Sequence, residues 1–188
     1  MKKIVEELRD GIFALNTRRF GTIAELVIAS KYGFEKSINQ FHDAYDIKKK
    51  QRIEIKFSRA MKANEKPITL FSASEQCINA DLSNRALESR AIHRFSFDSN
   101  IQQVKCVEFD VLYYGLFFSD KIAIFKAKSE QVKKMKGYSD KQHKNNVGEG
   151  QFHLNQDSID YHFENFFVEW LTYEELHKLF SNESKKKK

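Results

Sequence analysis

The stretch Tyr45-Asp46-Ile-Lys-Lys-Lys-Gln-Arg-Ile53-Glu54-Ile55-Lys56 holds two carboxylates and an ammonium in a pattern that suits phosphate chemistry. In an extended strand, residues two apart point to one face, so Glu54 and Lys56 project together while Ile53, Ile55 and Phe57 turn into a core. A turn through Lys48–Gln51 folds Asp46 back beside them. Mg²⁺ takes hard oxygen ligands, commonly one or two carboxylates completed by water and phosphate oxygens. Asp46, Glu54 and the backbone carbonyl of Ile55 supply such ligands. A metal there polarises a phosphate ester and activates a water, while Lys56 positions that water or stabilises the developing charge. An E-x-K pair on a strand is also a common solvated ion pair worth under about 1 kcal/mol. Three further features favour chemistry: the acid just upstream across a short turn, the apolar inward positions, and a preceding helix carrying Glu25.

The elements that must position these residues follow from the apolar spacing. From Ile4 to about Tyr32 it is helical, predicting two helices separated near Asn16–Arg19, the second ended by Gly33 as a left-handed cap. Phe41–Ile47, the polar turn Lys48–Gln51 and the alternating run Arg52–Ser58 predict a β-hairpin. Ser72-Ala-Ser-Glu75 has the capping-box pattern and opens a helix through Asn79, with another expected from about Asn84 to Ala91. Val104–Phe118 and Lys121–Ala127 read as β-rich, joined at Ser119–Asp120. A short helix at Ser129–Met135, a polar loop at Lys136–Gln151 and a strand at Phe166–Leu171 follow. Thr172-Tyr-Glu-Glu175 caps a closing helix to Phe180. The expected fold is α/β (α+β), one domain over residues 1–184 with a mixed central β-sheet flanked by helices, and a basic tail at 185–188.

Two assignments have alternatives. Thr22-Ile-Ala-Glu25 fits a capping box, in which Glu25 only satisfies backbone amides at a helix start; equally, Glu25 is an acid of the site. Asp43 rivals Asp46, depending on strand parity in the hairpin.

Asp46-x7-Glu54-x-Lys56, after a helix bearing Glu25, resembles the PD-(D/E)xK nuclease superfamily of restriction endonucleases and related repair nucleases. The resemblance covers roughly Gly21 to Ser58, with Tyr45 where many members have proline. It implies a restriction-endonuclease-like core, Asp46 and Glu54 as metal ligands, Lys56 as the catalytic lysine and Glu25 as an accessory acid. Asp46 has the spacing more typical of that motif and is preferred to Asp43. The resemblance further implies a Mg²⁺-dependent DNA endonuclease, a type II restriction enzyme acting as a homodimer on a symmetric site, with a cognate DNA methyltransferase. A structure-directed repair nuclease or junction resolvase is the alternative within the class. A non-catalytic nucleic-acid-binding protein is the alternative outside it.

Seven lysines lie between Lys126 and Lys144, with Glu130 and Asp140 the only acids among them. Lysines neutralising phosphate give sequence-independent affinity. The candidate DNA-contact loop at 136–151 offers Lys141, His143, Lys144, Asn145, Asn146 and Gln151, side chains able to read base edges. It reads equally as a solvated surface loop. Arg59 is a further candidate for phosphate contact beside the metal site in 21–60.

The composition narrows the field. The chain has 188 residues and a net charge of +6, but four of those charges are the terminal run Lys185–Lys188, leaving a mildly basic body. Cys77 and Cys106 are the only cysteines, which excludes a cysteine-only zinc or iron–sulfur site. The charged N-terminus is unlike a secretory signal, and no apolar run approaches a membrane span, so the expectation is a cytoplasmic protein with no membrane partner. Phosphate-loop, dinucleotide-binding and serine-hydrolase motifs are absent.

Overall fold

The computed structural model describes residues 2–63, 67–78, 85–140 and 148–186. Helices α1 (Lys2–Ala14) and α2 (Thr17–Tyr32) come first, followed by strands β1 (Glu35–Lys36), β2 (Ala44–Asp46) and β3 (Gln51–Arg59). Helix α3 (Ala73–Ile78), β4 (Asp98–Val104), β5 (Val111–Phe117), β6 (Lys121–Lys128) and α4 (Ser129–Val132) make up the middle. The chain closes with β7 (Tyr138–Ser139), β8 (Gly150–Asn155), α5 (Ile159–Phe166), β9 (Phe167–Thr172) and α6 (Tyr173–Lys186). Six strands form a mixed sheet in the order β1-β2-β3-β5-β6-β9, with β3 and β5 parallel and the other pairs antiparallel. A second, antiparallel sheet has the order β4-β8-β7.

β5 is buried along its whole length, because both faces of the central sheet are covered. Val111, Tyr113 and Phe117 face one core with Ile12, Phe13, Phe20, Val27 and Ile28 of α1 and α2. Leu112, Tyr114 and Leu116 face a second core with Ile101, Phe152, Leu154, Ile159 and Phe166, under the small sheet and α5. Each fully buried large side chain contributes about 1.5–3 kcal/mol, so together these two layers hold β3 and β5 rigidly. Gly115 is required between them: a Cβ there would stand 2.0 Å from the Ala123 carbonyl and 2.4 Å from the Phe57 ring.

The two expected N-terminal helices are present. The Asn16 side chain accepts the Arg19 N–H at 3.0 Å to start α2, and Gly33 ends it at φ 71°. The closing capping box also forms: Glu175 accepts the Thr172 N–H at 2.8 Å, and Thr172 Oγ1 accepts the Glu175 N–H at 3.2 Å. Three expectations are revised. Of the helix expected over Asn84–Ala91, Asn84 lies outside the described residues, Arg85 is helical, Ala86 bridges to Met61 and Ser89–Ala91 makes a separate helical turn. The polar 136–151 stretch is bounded by β7 and the start of β8 rather than being loop throughout. Finally, α6 runs past Phe180 and takes Lys185 and Lys186 into the helix. Among the described residues, no helix is long and apolar enough to cross a membrane.

Two buried polar pairs tie the layers together. Tyr114 Oη lies 2.8 Å from His162 Nδ1, and Tyr173 donates to the Phe118 carbonyl at 2.6 Å. Burial pushes the His162 imidazole down to about 4.

Candidate active site

The hairpin register determines which acid meets Glu54 and Lys56. Asp46 pairs with Gln51, Tyr45 with Arg52 and Ala44 with Ile53. Residues directly opposite in an antiparallel pair share a face. Arg52, Glu54 and Lys56 therefore lie on the face of Tyr45, while Asp46 lies on the face of Gln51, Ile53 and Ile55. The expected placement of Asp46 beside Glu54 and Lys56 is corrected accordingly. The connection contains Lys50 at φ 54°, and Asp46 Oδ1 closes it by accepting the Lys49 N–H at 3.1 Å. Asp46 instead lines a cleft of about 390 Å³ on the reverse side, with Tyr32, Phe34, Lys49 and Tyr113.

Asp43 takes the place expected for Asp46. It stands just before β2, and its backbone N–H donates to the Ile53 carbonyl at 3.1 Å. Its carboxylate Oδ2 accepts the Ile55 N–H at 2.8 Å and lies 3.4 Å from Lys56 Nζ. Because β2 begins only at Ala44, the Ile55 amide on that edge takes a side chain rather than a ladder partner. An extended residue turns its N–H and C=O to the same edge, so the Ile55 carbonyl faces the Asp43 side as well. Lys56 Nζ lies 2.5 Å from Glu54 Oε1. The other Glu54 oxygen, Oε2, is buried with no hydrogen-bond partner.

The electrostatics reflect this crowding. Burial pushes the Glu54 carboxyl up; Lys56 opposes the shift and Asp43 adds to it. Burial acts to lower the Lys56 ammonium, but Glu54 and Asp43 outweigh it and hold the group above its ordinary value. Glu25 is raised by burial and by Asp43, against Lys56 and Lys36. Helix α2 thus brings Glu25 into the field of the same cluster. The capping-box alternative for Glu25 falls away, because Thr22 is inside α2 and its hydroxyl donates to the Arg18 carbonyl at 3.3 Å.

The other expected contacts divide. Arg59 is committed to the fold: its guanidinium donates to the carbonyls of Ile12 (3.3 Å) and Leu15 (2.5 Å) at the end of α1 and lies 4.1 Å over the Phe20 ring. It is corrected from a phosphate contact to a helix cap. Gln151, on β8, accepts the Asn100 amide at 3.1 Å. Lys141, His143, Lys144, Asn145 and Asn146 lie outside the described residues.

Among the described residues, no three His, Cys, Asp or Glu side chains gather as a metal site. The donors at this cluster are two carboxylates and a carbonyl, with Glu25 near, and that set fits an ion that takes most of its ligands from water and phosphate. The unpartnered Glu54 Oε2 is the atom that fits such an ion best. No family model, curated protein or solved structure matches this chain.

Proposed function

We propose that this protein is a Mg²⁺-dependent DNA endonuclease on a restriction-endonuclease-like core, with Asp43, Glu54 and Lys56 at its centre and Glu25 as the accessory acid. The observation that carries the reading is Lys56 Nζ held between Glu54 Oε1 at 2.5 Å and Asp43 Oδ2 at 3.4 Å, while Glu54 Oε2 stays buried and unpartnered. A solvated ion pair needs neither the burial nor the orphaned oxygen. Asp43, Glu54 and the Ile55 carbonyl would hold Mg²⁺, which when bound polarises a phosphate oxygen and acidifies a water. Lys56 orients that water and offsets charge developing on the phosphate. Glu25 adds a carboxylate that acts on the cluster through its field.

The biological role we propose is that of a type II restriction enzyme, a homodimer cutting both strands of a two-fold site beside a cognate methyltransferase. Support comes from the small sheet. Ser99, Ile101, Phe152 and Leu154 are buried, and the outward positions hold Asn100, Gln102, Gln151 and Asn155 beside the Asp98–His153 pair, with Asn100 bonded to Gln151. Carboxamide side chains read adenine edges in a groove.

The test is cleavage of plasmid and phage DNA in Mg²⁺, beside EDTA controls and the variants Lys56→Ala, Asp43→Asn and Asp46→Asn. Discrete Mg²⁺-dependent fragments that disappear in Lys56→Ala and Asp43→Asn but persist in Asp46→Asn support the reading. Cutting that survives Lys56→Ala sinks the site. No cutting of linear or branched DNA sinks the nuclease.

A further inference from the structure

Beside the cluster, on the same face of the hairpin, lies a cleft of about 490 Å³ whose lining includes Lys36, Ile38, His42, Tyr45, Ile47 and Arg52. Its size falls within the range of small-ligand sites, roughly 300–1,000 Å³. Tyr45 and Arg52 are cross-strand partners, and Arg52 precedes Glu54 by two residues, roughly 7 Å of strand. His42 immediately precedes Asp43. The cleft is therefore adjacent to the carboxylates along the hairpin, its walls stopping short of Asp43, Glu54 and Lys56.

The lining selects a particular chemistry. Ile38 and Ile47 give apolar walls, and the rings of His42 and Tyr45 stand 6.4 Å apart at 48°. His42 is 9% exposed, and its Nδ1 is buried without a hydrogen-bond partner. A buried ring nitrogen with no partner is costly unless something outside the chain completes it. Lys36 adds a positive charge and Glu35 a negative one, while Arg52 is paired with Asp110 at 2.8 Å. The matching ligand is flat and aromatic and has a hydrogen-bonding edge.

We propose that this cleft receives the base of a nucleotide next to the scissile phosphate, stacked against Tyr45 and hydrogen-bonded by His42. The inference rests on the nuclease reading and, within that class, favours the structure-directed repair enzyme over the restriction enzyme. A base inside a duplex cannot reach such a cleft, so the nucleotide must leave the stack, at a cost that is least for an unpaired or mispaired base. The favoured substrate is DNA carrying such a nucleotide at the cut.

The experiment measures fluorescence anisotropy of the wild-type chain in Ca²⁺ with three 30-base-pair duplexes of one sequence: matched, with a central mismatch, and with an abasic residue at the same place. The expected result is binding of the mismatched duplex at least about tenfold tighter than of both others, with the advantage lost in Tyr45→Ala. The abasic duplex is as easily deformed but has no base to seat. Equal affinity for mismatched and abasic DNA, or for all three, overturns the cleft while leaving the nuclease reading intact. Absence of both binding and Mg²⁺-dependent cutting overturns both. Photocrosslinking of the wild-type chain to 5-iodouracil at the mismatch gives a check that requires no variant: adducts at Tyr45 or His42 support the proposal, and adducts confined elsewhere overturn it.

Discussion

The Asp43 carboxylate accepts the backbone N–H of Ile55 at 2.8 Å, so one side chain both completes the edge of β3 and faces Lys56. A residue with that double duty is sensitive to charge and to length in different ways. Asp43→Asn retains an oxygen for the amide and loses the charge, so cleavage falls by on the order of 10²-fold with little change in melting temperature. Asp43→Ala loses both the rate and about 1–2 kcal/mol of stability, from the Ile55 amide left without its partner. Asp46→Asn, on the reverse face, keeps the cleavage rate within about threefold, since its carboxylate is spent on the hairpin connection. Plasmid nicking rates and thermal melts of the three variants check this.

Glu25 comes from another element and reaches the cluster through its field rather than through a hydrogen bond to Asp43 or Lys56. Glu25→Gln is expected to slow cleavage by about tenfold and to leave stability within about 0.5 kcal/mol, the pattern of an outer partner. A loss of stability without a loss of rate would count against it.

Arg59 gives the opposite pattern. Arg59→Ala removes the guanidinium from the Leu15 carbonyl, leaves the Ile12 carbonyl with only the Leu15 N–H, and takes the cation from the Phe20 ring, costing about 2 kcal/mol. Its effect on the salt dependence of DNA affinity should be nil, whereas a phosphate contact lowers the slope by about one. Urea unfolding and a salt titration of DNA binding separate the two.

His162 makes the fold acid-sensitive. Burial lowers its pKa from the ordinary 6.5 to about 4, so below 6.5 the unfolded chain takes up a proton that the folded chain refuses until about 4. The contribution is fully present above 6.5 and is lost as the pH falls through 4, about 3 kcal/mol in all. Urea midpoints at pH 7.5, 5.5 and 4.0 should decline more in the wild type than in His162→Gln.

The hairpin was legible because Ile53, Ile55 and Phe57 alternate with polar residues, and α2 because Asn16 and Gly33 are the right residues at its ends. The choice between Asp43 and Asp46 turned on which residues pair across the connection, and motif spacing carries no information on that pairing. Lys50 in the left-handed region fixes a connection that pairs Asp46 with Gln51, and every parity upstream follows. Arg59 looked available because its partners lie in α1, more than forty residues away in sequence. The small sheet escaped notice for a different reason. Its outer positions are Asp, Asn, Gln and His, residues that spell loop, and only packing against Leu112, Tyr114 and Leu116 makes strands of them.

The parallel pairing of β3 with β5 also sets an order in time. The hairpin joins Ala44 to Ile53, a local closure of the kind that takes microseconds, whereas β3 meets β5 by joining Ile53 to Val111 across the middle of the chain. In refolding, Asp43 and Lys56 therefore come together while still in water. The desolvation that raises the Glu54 proton affinity arrives only when β5 docks. The side chains are gathered by a fast local event, and the burial that shifts Glu54 is conferred by a slow distant one.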